Sequence, residues 1–112
     1  MAQRHLACQL ADLPDPGSKG IEIQGYKLFI VRQGNRVFAY RNNCPHRNVP
    51  LEWIPDQFLD SSGLLIQCAS HGALFLPESG ECVAGPCSGA RLHPIRCSIE
   101  DAAVWLELDS LS

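Results

Sequence analysis

Two short stretches of the chain each offer one sulfur and one nitrogen donor within a turn's reach: Cys44 and His46 in "RNNCPHRNVP", and Cys68 and His71 in "QCASHGALF". Residues two apart on a strand share a face, and residues two or three apart in a tight turn converge on one point, so both pairs have chelating spacing. A thiolate and a neutral imidazole, supplied twice, suit either a tetrahedral zinc ion or a [2Fe–2S] cluster in which histidines replace two of the four cysteines. The usual zinc signature groups like ligands, cysteine with cysteine and histidine with histidine, whereas here each stretch supplies one of each kind. Mixed pairs are what a cluster with two chemically different irons requires.

Short β-strands are the elements expected to carry these stretches. "YKLFIVRQ" and "RVFAYR", joined by Gly34-Asn35, alternate apolar and polar residues as a hairpin with one face inward. Further strands are expected in "HLACQL", in "IEIQ" at 21–24, in "LLIQC" at 64–68, in "LHPIRCSI" at 92–99 and in "AVWLEL" at 103–108, the last two linked through "EDA". Helical periodicity is absent, with at most one turn in "LEWIPDQFLD". The 8 prolines and 9 glycines fall mostly between these runs as turns. The fold class that follows is all-β, of short antiparallel strands.

A length of 112 residues suits one domain, 1–112, with one hydrophobic core and no separate catalytic domain. Nine scattered basic residues against 12 acidic ones lack the footprint of a nucleic-acid binder. No apolar run reaches the roughly 20 residues of a membrane helix, and the N-terminus lacks a signal-peptide core, so a cytoplasmic address is expected. In a reducing compartment, 6 cysteines point to metal ligation before disulfides.

"CPHRNVPL" and "CASHGALF" resemble the two ligand loops of the Rieske iron–sulfur domain, of the stand-alone ferredoxin kind. The resemblance runs from about Leu28 to about Leu106. It implies a [2Fe–2S] cluster with Cys44 and Cys68 on one iron and His46 and His71 on the other. It implies a fold of small antiparallel sheets with an inserted cluster-binding subdomain, its ligand loops at about 43–49 and 67–73. "GECVAGP" is similar to the family's covering loop, here about 84–89, which implicates Gly85 and Pro86; an ordinary turn is the plain alternative. The function implied is one-electron transfer, from a flavin-dependent reductase to an oxygenase or other acceptor, and not catalysis by this chain. A small Rieske subunit like that of assimilatory nitrite reductase is the nearest alternative; a structural zinc module or a redox sensor is the alternative of another class.

The sequence also departs from the family's pattern. Between His46 and Cys68 lie 21 residues, a few more than ferredoxin members show, and "IPDQFLDSSG" is read as the surplus, a surface excursion or a docking element. Arg47, Asn48 and Val49 after His46, and Ala69 and Ser70 before His71, leave no cysteines for the disulfide of the high-potential members. Ala73 stands where those members place a serine that bonds a cluster sulfur, so a potential on the order of −150 mV is expected, falling as pH is raised into the alkaline range. Cys82 and Cys87 flank the third loop and are expected to be thiols in a reducing compartment, a disulfide between them being the alternative, Cys8 and Cys97 to be small buried groups, and His5 and His93 to be structural or surface residues. Trp53, Trp105 and the phenylalanines are read as core, and Glu52, Asp56 and Asp60 as solvated charges before a docking patch.

Overall fold

Tyr26–Gln33 and Arg36–Arg41 form the expected hairpin, and the remaining strands gather around it. The computed structural model describes residues 3–43, 51, 57–68, 72–85 and 89–108. In chain order the strands are β1 Gln3–Gln9, β2 Gly17–Ile23, β3 Tyr26–Gln33, β4 Arg36–Arg41, β5 Ile66–Gln67, β6 Leu74–Phe75, β7 Cys82–Ala84, β8 Pro94–Glu100 and β9 Ala103–Leu108. They pair antiparallel into a six-stranded sheet ordered β1-β9-β8-β4-β3-β2 and a three-stranded sheet ordered β5-β6-β7.

Strand β3 explains how the two sheets relate. Four of its residues in a row, Leu28 to Val31, are fully buried, which a strand achieves only when both faces are covered. Leu28 and Ile30 join Cys8, Leu13, Ala39, Ile95, Val104 and Leu106 in one core. These residues come from five strands of the six-stranded sheet and from the turn after β1, so the sheet curls around its own inner face. Phe29 and Val31 point the other way, joining Tyr40, Leu51, Phe58, Ile66, Cys68, Ala73, Phe75, Cys82 and Leu92 in a second core beneath the three-stranded sheet. The side-chain period of two thus lets one hairpin serve as the wall between a structural core and the core that carries the predicted ligand Cys68.

Several boundaries differ from the sequence expectation. Strand β2 begins at Gly17, because its glycine-containing half pairs with Phe29, Ile30, Val31 and Arg32 of the long β3. Gln24 leaves the strand for a two-residue turn with Gly25, both at positive φ (53° and 82°) as a type I′ hairpin requires. Asp101 and Ala102 turn the β8–β9 hairpin in the same way, at 53° and 58° and without a glycine. The described part of "LEWIPDQFLD", Leu51 and Gln57–Asp60, forms no helical turn: Leu59 makes a β-bridge to Ile66. The one helical segment among the described residues is a 3₁₀ turn, Leu10–Asp12, held by the Arg32 guanidinium on the carbonyls of Leu10 and Leu13 at 3.2 and 3.0 Å.

Candidate metal centre

Cys68 is the one predicted ligand among the described residues; Cys44, His46 and His71 lie outside them. It stands at the mouth of the β5–β6 hairpin. The pairs Ile66 with Phe75 and Gln67 with Leu74 bring the two strands together, and Cys68 N–H continues the ladder to the Ala73 carbonyl at 2.9 Å. The turn between them closes on itself, Gly72 N–H reaching the Cys68 carbonyl at 2.8 Å, with Gly72 at φ 69° where glycine has no steric penalty. Cys68 is fully buried in the core below. A soft thiol donor therefore sits on a rigid hairpin at the edge of an apolar layer.

The first predicted ligand loop is held at both feet. Arg41 N–H bonds the His93 carbonyl at 3.0 Å and Asn42 N–H bonds the Lys27 carbonyl at 2.9 Å, fixing the end of β4 to its neighbours. On the far side Leu51 is fully buried in the same core as Cys68, and its N–H reaches the Asn42 side-chain Oδ1 at 2.8 Å.

The third loop leaves β7 and returns through Gly89 and Ala90. Its base is closed by the bridge of Glu81 with Arg91 and by Cys82 N–H on the Ala90 carbonyl at 2.9 Å. Gly85, at φ 99°, lies against the second loop: a Cβ there would sit 2.7 Å from Ala73 Cα and 3.1 Å from Ala73 Cβ. No side chain fits that contact, so glycine lets this loop rest on the backbone of the hairpin that carries Cys68. Pro86 and Cys87 lie outside the described residues. Cys82 is buried, with its Sγ donating to the Ala84 carbonyl at 3.2 Å.

The other cysteines and aromatics belong to the framework. Cys8 is buried in the inner core and Cys97 at its rim, the Cys97 thiol donating to the Val37 carbonyl at 3.3 Å. Burial pushes the Cys97 thiol up to about 11, against a smaller pull from the Ala39 backbone. Trp105 is not core as expected: it is half-buried on the outer face of β9, beneath the Arg4 guanidinium at 4.9 Å. Trp53 lies outside the described residues. The described part of "IPDQFLDSSG" exposes Gln57, Ser61 and Ser62 but also sends one side chain inward. Phe58 is fully buried and stacked on Phe29, ring centroids 4.4 Å apart, and its N–H meets Ser18 Oγ at 3.1 Å.

A curled antiparallel sheet thus carries a small second sheet, with a buried cysteine at a hairpin mouth and a glycine of the third loop resting on that hairpin. Residues 3–103 match the family model described as the Rieske [2Fe-2S] domain, and the chain belongs to that family, whose domain binds a [2Fe–2S] cluster. The ferredoxin of carbazole 1,9a-dioxygenase from Nocardioides aromaticivorans IC177 is 20% identical, with 93% of this chain and 96% of that chain covered and a TM-score of 0.78. The Sphingomonas yanoikuyae B1 ferredoxin is 26% identical over 96% of this chain and 100% of that one, with a TM-score of 0.79. The terminal oxygenase of carbazole 1,9a-dioxygenase from Novosphingobium sp. KA1 is 21% identical over 98% of this chain, which spans 31% of the oxygenase, with a TM-score of 0.82. No curated protein sequence matches the chain. The described residues fit the cluster: Cys68 supplies a soft donor, and the missing side chain at Gly85 lets a third loop close over its hairpin. Among the described residues no helix is long and apolar enough to cross a membrane.

Proposed function

We propose that the chain is a Rieske-type ferredoxin, a one-electron carrier that receives electrons from a flavin-dependent reductase and passes them to an oxygenase. Residues 1–112 form one cluster-binding domain, with Cys44 and Cys68 as ligands of one iron and His46 and His71 as ligands of the other. The observation that carries this reading is the likeness to the Sphingomonas yanoikuyae B1 ferredoxin over nearly the whole of both chains. A complex of reduced oxygenase and oxidized ferredoxin in carbazole 1,9a-dioxygenase shares the fold, which supports an oxygenase as acceptor.

The cluster supplies one-electron oxidation and reduction when bound; the chain's own residues hold it and set its potential. Ala73 offers no hydroxyl beside the second loop, which favours the low end of the Rieske range, on the order of −150 mV. Buried Cys68 keeps its side of the site dry, and histidines on loops would face the partner.

Iron, zinc and acid-labile sulfide assays on freshly purified protein test the reading together with visible and EPR spectra. Iron and sulfide in equal amounts, a red-brown colour and a rhombic signal of low average g on reduction are expected. A colourless protein loaded with zinc would overturn it.

A further inference from the structure

We infer that Asn42 is a positioning residue for the first ligand loop, closing its mouth so that Cys44 and His46 meet the half-site built around Cys68. This inference rests on the reading of Cys44 and His46 as ligands. The two halves of the site are anchored by different means. Cys68 sits on a hairpin held by its own ladder bonds and by the core that it shares with Leu51. The described feet of the first loop are set by two backbone bonds at Arg41 and Asn42, by burial of Leu51, and by the bond between Asn42 and Leu51.

That last bond is the cross-link. Leu51 N–H donates to Asn42 Oδ1 at 2.8 Å across nine positions of the chain. The carboxamide oxygen stands in for a ladder carbonyl, which lets β4 end and the loop begin while Leu51 is still tied to it. Asn42 is itself fixed, since its own N–H is bonded to the Lys27 carbonyl of β3 at 2.9 Å. Rigidity therefore passes from the long hairpin, through one side chain, to the foot at which the loop re-enters the core. Without the carboxamide, the Leu51 N–H loses a partner in a partly buried setting and the loop's two feet become independent. Residues outside the ligand set that orient the ligands typically alter metal retention by about 10- to 100-fold.

The test compares cluster loss in the wild-type holoprotein with Asn42→Ala, Asn42→Asp and Ser18→Ala, following visible absorbance in excess EDTA and recording the reduced-state EPR spectrum. Asn42→Ala is expected to lose colour at least about tenfold faster and to broaden the EPR line. Asn42→Asp, which keeps an acceptor at the same reach, is expected to hold the cluster at close to the wild-type rate. Ser18→Ala removes a bond of the same kind, to Phe58 N–H, that touches neither foot of the first loop, and is expected to leave rate and spectrum unchanged. Wild-type retention in Asn42→Ala, or loss in Asn42→Asp or Ser18→Ala as fast as in Asn42→Ala, overturns the inference. Should Asn42→Ala never take up the cluster, Asn42→Asp still decides: retention supports the inference and failure ends it. A wild-type protein devoid of iron and sulfide would instead sink the reading of the site on which the inference rests.

Discussion

At the scale of single residues, the contact between Ala73 and Gly85 sets how closely the third loop approaches the hairpin of Cys68. Ala73 is fully buried, and the room beside it is taken by the Gly85 backbone. A hydroxyl at position 73 would sit next to the ligand loop, where a hydrogen bond to sulfur stabilises the reduced, more negative form. Ala73→Ser is therefore expected to raise the midpoint potential, as read by an EPR-monitored redox titration. An unchanged or lower midpoint would remove hydrogen bonding at this position from the account of the potential. The cysteine and histidine pairs were legible in the sequence because their meaning lies in residue type at short spacing. Asn42 was not legible, because its role depends on Leu51 meeting it after an excursion that no local pattern describes. Gly85 lay in between: the loop it belongs to stood out, but its need for glycine becomes evident only from the position of Ala73.

At the scale of elements, the strands that could be read from the sequence are those with enough length to show a period. The β3–β4 hairpin and β9 agree with their expected spans because each runs over six or more residues rich in apolar and strand-favouring types. Strands β5 and β6, of two residues each, lie below that length, and the glycines of β2 hid its first half. The segment read as a surface excursion departs from that reading at Phe58, which fills the core between the two sheets and stacks on Phe29 of β3. Its aromatic character was visible, but whether a loop folds back onto a core depends on the gap awaiting it. Phe58→Ala would empty that gap, and a buried Phe-to-Ala change costs about 3–5 kcal/mol. Urea unfolding should show a loss of that order, whereas a loss below about 1 kcal/mol would mean the segment contributes little to the core.

At the scale of the whole molecule, the order β1-β9-β8-β4-β3-β2 joins the two ends of the chain, a pairing that sequence patterns do not encode because partners are far apart. The exposed ion pairs, Arg4 with Glu100, Arg36 with Glu78 and Arg96 with Glu107, lie on the outside of this frame and contribute little to its stability. Acids shielded by the two cores give it an alkaline pH dependence. Burial raises the Cys97 thiol from 9.0 to about 11, and burial followed by the nearby Cys97 raises the Tyr40 phenol from 10.0 to about 12. Tyr40 donates its hydroxyl to the Pro77 carbonyl, tying the long hairpin to the turn after β6. In both groups the folded state prefers the protonated, neutral form more strongly than the unfolded chain does. Their contribution is complete below about pH 9, where both states hold the proton, and is lost as the unfolded chain begins to ionise, Cys97 between 9.0 and about 11 and Tyr40 between 10.0 and about 12. Thermal unfolding under reducing conditions should accordingly show Tm level between pH 7 and 9 and falling above it. Cys97→Ala removes the Cys97 contribution and the part of the Tyr40 shift that the Cys97 charge causes, so its Tm should decline less than that of the wild type from pH 9 to 11, a comparison in which any alkaline loss of the cluster is common to both proteins. Parallel declines in the two would show that Cys97 does not couple its proton to folding.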